Sequence, residues 1–486
     1  MTATQRYERV VARHRARCYP NAAQRAQLDI EFECARVVYN QCVAMADWCH
    51  RNELKYPGYV GFNKALAVWK GATGWNHARL ASNCCQQNAT LAAHKAFVNF
   101  FRRVRQGEGA PGYPKMKKDG AAEASVTYNV AELKTRWNPQ TGILTLTKQK
   151  EPLKINWDRR GFPQGAKSVT VIRDAAGRYF VSFTCQRRIS RAPGTGASVG
   201  IDIGARSDGT NAVARSDAQA PEGIPVFLSP GRQRRFLRLK RKLARQTRQR
   251  RVNGRKVWSN SRQRTKRAIA RLEARIADAR RCWQDGVSRR LVRDYDLIAV
   301  EDLNIKGMTK APAPKVDETS GRYLPNRARA KAKLARNMLN VGAYTLRRQI
   351  EYKALWTGKL VFPVNPAYTS QACSCCGSVS AENRKSQSQF ICVDCGASMN
   401  ADINAARNIL SRALLDGSIE AATGRPGDKA VGGVSTELMR EEGKAQLGLP
   451  GSPEKCTLLS GRLELVAGLA TDSTDQMEGA PRAREG

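Results

Sequence analysis

Three acidic residues stand where carboxylates commonly bind metal ions. Asp202 lies in the apolar run VGIDIG, Glu301 ends the run IAVE, and Asp402 lies near the start of the helical pattern ADINAARNIL. Two buried strands that deliver carboxylates to one sheet edge, and a helix that brings a third, would form a cradle for Mg²⁺ or Mn²⁺. Two such ions about 4 Å apart activate water and stabilise the leaving oxygen of a phosphodiester. The pattern therefore predicts a two-metal phosphodiesterase site.

Asp302, the acid next to Glu301, is an alternative ligand. Successive side chains of a strand point to opposite faces, so only one of the two can face the ions. Glu301 directly follows the apolar run and is the predicted ligand. A Ser-His or Cys-His nucleophile is not predicted, because the four histidines all lie in the N-terminal part of the chain. They are His14, His50, His77 and His94.

A cysteine cluster follows in the segment CSCCGSVSAENRKSQSQFICVDCG. Two C-x-x-C pairs separated by fifteen residues are typical of a structural, tetrahedral Zn²⁺ site, and a glycine after each pair permits the tight turn that such sites use. Cys375 could compete, but the repeated C-x-x-C-G pattern favours Cys376. The predicted zinc ligands are Cys373, Cys376, Cys392 and Cys395.

The elements around these residues alternate between helix and strand patterns. Apolar residues spaced three and four apart predict helices over residues 21–48 and 81–105. Short alternating runs predict a small β-barrel over residues 124–184, whose first strand is the N-terminal segment, with the helices inserted into it or packed beside it. Arg and Lys at helical spacing predict two long basic helices over residues 231–293, and a further helix is predicted near 334–356.

The composition of the chain indicates what kind of partner it binds. The chain has 486 residues and a formal net charge of +41. Its length predicts about three or four domains. A field of this size attracts polyanions, which predicts nucleic acid as the partner and favours long duplexes or a structured RNA. The sequence has no apolar run long enough for a signal peptide or a membrane span, which predicts a soluble protein of the prokaryotic cytoplasm with no membrane partner.

The motifs GIDIG, VEDLNIKGM, YTSQACSCCG with CVDCG, and ADINAARNIL, in this order, resemble those of transposon-encoded TnpB proteins and of miniature type V CRISPR effectors. CYPNAAQRAQL, CARVVYN and GAPGYPKMKKD also resemble the opening segments of that family. The resemblance covers roughly residues 10 to 412. It implies a multidomain α+β protein: a wedge β-barrel with an inserted helical recognition domain, then an RNase H-like (RuvC) α/β domain that contains an inserted zinc ribbon. Asp202, Glu301 and Asp402 match the three RuvC acids, while MNAD departs from the family's usual sequence before the third.

The resemblance also implies domain boundaries and partners. A guide RNA and a double-stranded DNA target with a short flanking motif are expected. One protein chain per guide is predicted on separate grounds, because the sequence shows no coiled-coil seam and no sizeable apolar patch pattern. Residues 416–486, rich in Gly, Ser, Glu and Ala, are predicted to be disordered. The expected boundaries are 1–20 for the first wedge strand, 21–120 for the recognition domain, 121–192 for the rest of the wedge, 197–366 for RuvC with its basic helices, 367–398 for the zinc ribbon and 399–415 for the third-motif helix.

Amide and hydroxyl side chains can hydrogen-bond to base edges, which makes several residues near the basic loop candidates for reading the flanking motif. They are Gln86, Gln87, Asn88, Thr127 and Asn129.

Three other functions remain open at this point. A guided DNA binder or repressor that does not cut would need the same nucleic-acid channel but damaged metal ligands. An RNA-independent recombinase of the RNase H-like class would find its DNA by protein contacts. A zinc-dependent structural DNA-binding protein would leave the three acids without a purpose.

Overall fold

The computed structural model describes most of the chain up to residue 423, and it divides the chain into two compact units. The first comprises Met1–Ile189 and Val226–Cys282, and the second Ser190–Pro225 and Trp283–Gly486. The described residues are 9–71, 75–107, 111–118, 123–130, 136–158, 161–189, 191–204, 212–247, 249–252, 255–386 and 388–423.

The strands and helices are numbered here in chain order. The N-terminal part contains β1 (Arg9–Cys18), α1 (Ala22–Arg51), α2 (Gly58–Gly71), α3 (Asn76–Leu80), α4 (Asn83–Arg105), β2 (Ala124–Asn129), β3 (Arg136–Asn138), β4 (Ile143–Thr145), β5 (Ile155–Asn156), β6 (Ser168–Arg173) and β7 (Tyr179–Arg188). The rest contains β8 (Ser198–Gly204), β9 (Ala212–Arg215), β10 (Glu222–Gly223), α5 (Pro230–Arg245), β11 (Gln249–Val252), β12 (Arg255–Trp258), α6 (Asn260–Asp294), β13 (Leu297–Glu301), α7 (Ile305–Thr309), β14 (Lys315–Val316), β15 (Tyr323–Leu324), α8 (Ala328–Val341), α9 (Ala343–Thr357), β16 (Leu360–Val364), β17 (Gln389–Ile391), β18 (Ser398–Asn400) and α10 (Ala401–Thr423).

The first unit joins an antiparallel sheet to a helical module. The sheet has the order β2-β6-β7-β1-β5, and β1 pairs with β7 along its whole length. Since α1 to α4 lie between β1 and β2 in the chain, the helices are inserted into the β domain, as predicted. The described strands form an open sheet with a separate β3-β4 hairpin, so closure into a barrel stays a prediction.

The predicted helices are confirmed with shifted ends. Asn21 caps α1: its Oδ1 accepts the Gln24 N–H at 2.8 Å, and Gln24 Oε1 accepts the Asn21 N–H at 3.0 Å, which is a reciprocal capping box. The helix predicted near 334–356 is two helices, α8 and α9, separated at Gly342, whose φ of 66° favours glycine. Two basic helices, α5 and α6, are present as predicted, with the β11-β12 hairpin between them. None of the helices in the described part of the chain is long and apolar enough to span a membrane.

The second unit is built on a mixed sheet of order β10-β9-β8-β13-β16, in which β8, β13 and β16 run parallel. Helices α6 and α9 pack on one face through a core that includes Val199, Ile201, Val300 and Ile350. Helix α10 packs on the opposite face. Successive side chains of a strand point to opposite faces, so every second side chain of β8 and β13 points toward α10.

Asp296, just before β13, fixes the register of the three parallel strands. Its carboxylate accepts the N–H groups of Thr195 and Gly196, both at 2.7 Å, and forms an ion pair with Lys359. The hydrogen bond from Lys359 is the main reason that the pKa of Asp296 falls to about 2. Because these contacts tie the starts of β8, β13 and β16 together, the strand ends that carry the acids stay aligned.

Candidate active site and metal centre

Asp202 and Glu301 lie side by side on neighbouring parallel strands. The β8-β13 register pairs Ile201 with Val300, so the next residue of each strand is an acid in the same row. Residues in step on paired strands share a face. Ile201 and Val300 face the α6 and α9 core, and Asp202 and Glu301 consequently lie toward α10.

Asp402 reaches the same region from the first turn of α10. Asn400 caps this helix, since its Oδ1 accepts the Asp402 N–H at 3.0 Å and the Ile403 N–H at 3.4 Å. A Cβ built on Gly204, at the end of β8, would lie 3.5 Å from Asp402 Oδ2. The Asp402 side chain is only 5% exposed and lies beside the strand end that carries Asp202.

Close packing of α10 on β8 depends on Gly200. A Cβ at that position would stand 2.1 Å from the carbonyl oxygen of Ala406 and 2.7 Å from the backbone nitrogen of Leu410. The absence of a side chain therefore lets the helix backbone approach the strand, which brings Asp402 to the sheet edge.

The electrostatics of Glu301 are those of a carboxylate held out of water. Burial raises its pKa, although a hydrogen bond from Thr369 and the charges of Arg412 and Arg384 oppose the rise. Thr369 Oγ1 lies 2.6 Å from Glu301 Oε1, and Arg384 Nη2 lies 3.7 Å from Asp402 Oδ1. The site therefore places two cationic side chains near the half-buried Glu301 and the buried Asp402.

Asp302 faces away from this cluster. Its Oδ1 accepts Arg347 Nη1 at 2.7 Å, on the α9 side of the sheet. The expectation that only one of the two adjacent acids faces the site therefore agrees with the observed contacts, and the acid on the α10 side is Glu301.

The carboxylates fit hard divalent cations. Three oxygen-donor side chains approach one region from β8, β13 and α10, and the positive charge of a bound cation would stabilise the ionised form of Glu301 that burial disfavours. Within the described residues, the four cysteines form the only group of three or more possible ligands whose donor atoms all lie within 4.8 Å of one another. The acids are spaced more widely than that.

The predicted zinc ligands do come together. Sγ of Cys373 lies 3.7 Å from Sγ of Cys395, and Sγ of Cys376 lies 3.6 Å from Sγ of Cys392. Four sulfurs bound tetrahedrally at Zn–S distances of about 2.3 Å would be about 3.8 Å apart, so this arrangement fits Zn²⁺. Burial opposes ionisation of Cys373, but hydrogen bonds from the backbone N–H groups of Cys376 and Cys375 lower its pKa to about 7, which favours a thiolate ligand.

Replacement of Cys376 by Ser is expected to remove zinc from the purified protein. Because three remaining thiolates hold the ion much more weakly than four, zinc content should fall from about one ion per chain to a small fraction. Cys375→Ser is the matched control, since Cys375 is adjacent, exposed and outside the cluster. Atomic absorption measures both. Equal zinc loss in the two variants would contradict the ligand set.

The candidate flanking-motif residues are mostly engaged within the first unit. Gln86 is fully buried and its side-chain amide donates to Ala78 O at 2.7 Å, so it could read a base only if this contact opened, and base reading by Gln86 stays a prediction. Asn88 Nδ2 lies 3.1 Å from Thr127 O and 3.3 Å from Asn129 Oδ1.

These contacts join α4 to β2. Thr127 Oγ1 also contacts Thr170 Oγ1 at 2.9 Å, on the neighbouring strand β6. Gln87 is exposed. Reading by Gln87, Asn88, Thr127 and Asn129 stays a prediction.

Several residues of the site carry no signal in the sequence. Arg384 lies between the two cysteine pairs, Arg412 lies beyond the third acid, and Thr369 stands in a polar turn. Only the position of Asn400 before the helical pattern could have indicated its function, as an N-cap.

The fold and site define a multidomain α/β protein with carboxylates at one edge of a mixed sheet and a zinc-type cysteine cluster. A family model described as "Cas12f1-like, TNB domain" matches residues 344–409, which include the cysteines and Asp402. One described as "Probable transposase" matches residues 181–311, which include Asp202 and Glu301, and a "Helix-turn-helix domain" model matches residues 11–55.

Two known proteins are similar to this chain over most of its length and over most of their own. A "Putative RNA-guided DNA endonuclease" of Streptomyces pristinaespiralis is 32% identical over 82% of this chain and 88% of its own length. The "Putative RNA-guided DNA endonuclease InsQ" of Escherichia coli K12 is 32% identical over 84% of this chain and 94% of its own. A solved Cas12f1–sgRNA–target DNA complex aligns with a TM-score of 0.43 at 14% identity, over 79% of this chain and 82% of that one. The chain belongs to the family of TnpB-like RNA-guided DNA endonucleases.

Proposed function

We propose that this protein is an RNA-guided DNA endonuclease that cuts with a single two-metal site formed by Asp202, Glu301 and Asp402. The observation that carries the proposal is the alignment of Asp202 and Glu301 on paired strands with Asp402 beside the end of β8. Both relatives described above have RNA-guided DNA cleavage in their names. The target is double-stranded DNA that matches the guide and carries a short flanking motif.

The three carboxylates would hold two Mg²⁺ or Mn²⁺ ions. When bound, such ions lower the pKa of a water molecule and stabilise the leaving oxygen of the phosphodiester. The chain positions the carboxylates rigidly: Asp202 and Glu301 through strand register, and Asp402 through the Asn400 cap and the packing of α10 on Gly200. Arg384, near Asp402, adds positive charge where the phosphate of the substrate would bind.

Helix α5 offers a surface suited to an RNA backbone. Its sequence, PGRQRRFLRLKRKLAR, contains no acid, and none of its residues is buried. Guanidinium and ammonium groups in such density neutralise successive phosphates and bind in a salt-dependent way. We assign this helix to guide RNA binding, with one protein chain per guide. Its exposed cations are Arg232, Arg234, Arg235, Arg238, Lys240, Arg241, Lys242 and Arg245.

Purification from cells that carry the native locus tests the proposal. We expect a discrete RNA to co-purify and the complex to cut a plasmid library only in the presence of Mg²⁺, with cutting abolished by Asp202→Ala. Sequencing of the cut plasmids would give the flanking motif. If RNA co-purifies and wild-type protein does not cut, the chain is a guided binder. If cutting survives removal of the RNA, the chain is an RNA-independent recombinase and the proposal fails.

A further inference from the structure

A stripe of three polar side chains on α10 holds the segment that leads into the cysteine cluster. Asn404, Asn408 and Arg412 are spaced four residues apart and therefore share one face of the helix. They contact residues 365–374, here called the linker segment, which runs from the end of β16 to the first cysteine pair. Both asparagines are buried, so their hydrogen bonds are shielded from water.

Asn404, at the N-terminal end of the stripe, hydrogen-bonds to the backbone on both sides of Cys373. Asn404 Nδ2 donates to Ala372 O at 2.7 Å, and Asn404 Oδ1 accepts the Ser374 N–H at 2.9 Å. Asn408 Nδ2 donates to the same Ala372 carbonyl at 2.7 Å. The position of a predicted zinc ligand is thereby tied to the helix that carries Asp402 two residues before Asn404.

Further along the stripe, Asn408 is connected to Glu301 through Thr369. Asn408 Nδ2 also lies 2.9 Å from Thr369 O, and the Thr369 hydroxyl lies 2.6 Å from Glu301 Oε1 and 3.0 Å from Pro366 O. The Thr369 hydroxyl has one proton to donate, and it donates to Glu301 Oε1 because that acceptor is both nearer and charged. Arg412 Nη1 donates to Asn365 O at 3.1 Å and to Ala367 O at 2.6 Å, which holds the start of the same segment.

We propose that the linker segment, held by zinc at one end and by the α10 stripe along its length, positions Glu301 for metal binding through Thr369. Thr369 is thus a positioning residue, and the cysteine cluster supports the nuclease carboxylates. Arg384 provides a second connection, since it lies between the two cysteine pairs and approaches Asp402. The inference rests on the proposed function, because it concerns the metal site of that function.

Paired substitutions of Thr369 separate positioning from mere packing. Thr369→Val keeps the shape and removes the hydroxyl, whereas Thr369→Ser keeps the hydroxyl. We expect Thr369→Val to weaken Mn²⁺ binding by about 10- to 100-fold, the usual effect of losing an outer hydrogen-bond partner of a metal ligand. Thr369→Ser should restore most of the affinity. Ser411→Ala, at an exposed position on α10, is the control and should bind Mn²⁺ like wild type.

Mn²⁺ affinity is measured by isothermal titration of the guide-bound complex on an uncleavable phosphorothioate target, with Asp402→Asn defining binding outside the site. Zinc content is measured on the same samples. Weakened Mn²⁺ binding with normal zinc in Thr369→Val, rescued by Ser, supports the inference. Equal Mn²⁺ affinity in the Val, Ser and wild-type proteins overturns it.

Asn408→Ala tests the stripe separately. It breaks the contacts to Thr369 and Ala372 without touching an acid, and we expect weaker Mn²⁺ binding again; unchanged affinity would overturn the contribution of the stripe. Wild-type cleavage is recorded first. If wild-type protein cuts with its guide and the Thr369 and Asn408 variants bind Mn²⁺ normally, only this inference fails; if wild-type protein needs no RNA, the proposed function itself fails.

Discussion

Replacement of Glu301 by Gln is expected to lower the rate of Mg²⁺-dependent DNA cleavage by about 10³-fold or more, as for other groups that act together in one catalytic unit. Gln keeps the size of the side chain and its hydrogen bond with Thr369 but removes the negative charge that holds a cation. Binding of RNA and of the matched target should remain, because Glu301 lies at the strand end and not on the basic helix α5. Single-turnover cleavage and filter binding measure the two effects separately.

Asp302→Asn is the matched control for this substitution. The two acids are adjacent in the chain, but Asp302 points to Arg347 on the other side of the sheet. The control should keep most of the wild-type cleavage rate and lose only an ion pair whose carboxylate is largely exposed, which contributes about 0–1 kcal/mol to stability. Loss of cleavage in Asp302→Asn with normal rates in Glu301→Gln would reverse the assignment of the second acid.

Replacement of Gly200 by Ala is expected to destabilise the second unit by about 3 kcal/mol and to abolish cleavage. The added methyl group would meet the backbone of α10 at Ala406 and Leu410, which cannot rotate away as a side chain could. The helix must therefore move off β8 and take Asp402 with it. Urea denaturation measures the change in the free energy of unfolding. Cleavage assays at low temperature measure the loss of activity expected when Asp402 moves with α10.

Gly286→Ala is the same chemical change at a position where it should do no harm. Gly286 lies within α6, and a Cβ there meets nothing within 4 Å. Ala is favoured over Gly inside a helix by about 0.5–1 kcal/mol, so this variant should be as stable as wild type or slightly more stable. Full stability and activity in Gly200→Ala would show that α10 does not pack on β8 as described.

The acids and cysteines could be selected from the sequence as candidate ligands because local patterns mark them. A buried strand is short and apolar, so an acid at its end is conspicuous. Alternation allows only one of Glu301 and Asp302 to face the site, and Glu301 is favoured because it directly follows the apolar run. The C-x-x-C spacing needs no tertiary information to indicate zinc. The structure adds that β8 and β13 are direct neighbours in step, which the sequence alone does not specify.

Contacts between distant segments could not be predicted. The buried Gln86 side chain hydrogen-bonds to Ala78 O of α3, and the break at Gly342 occurs inside a continuous apolar pattern. Thr369 contacts Glu301 because the linker segment folds back along α10, and Arg384 approaches Asp402 from between the two cysteine pairs. Helix α10 also continues past the predicted boundary at residue 415, to Thr423, and the rest of the tail predicted to be disordered lies outside the described residues.

Reprogramming of the guide tests most directly whether RNA selects the DNA and this carboxylate site cuts it. The complex is reconstituted with its native RNA scaffold and a replaced guide sequence, then given a mixture of two plasmids that share the flanking motif and match either the old or the new guide. We expect cutting of only the newly matched plasmid, with none by Glu301→Gln. Cutting of both plasmids, or of the old one alone, would contradict RNA guidance.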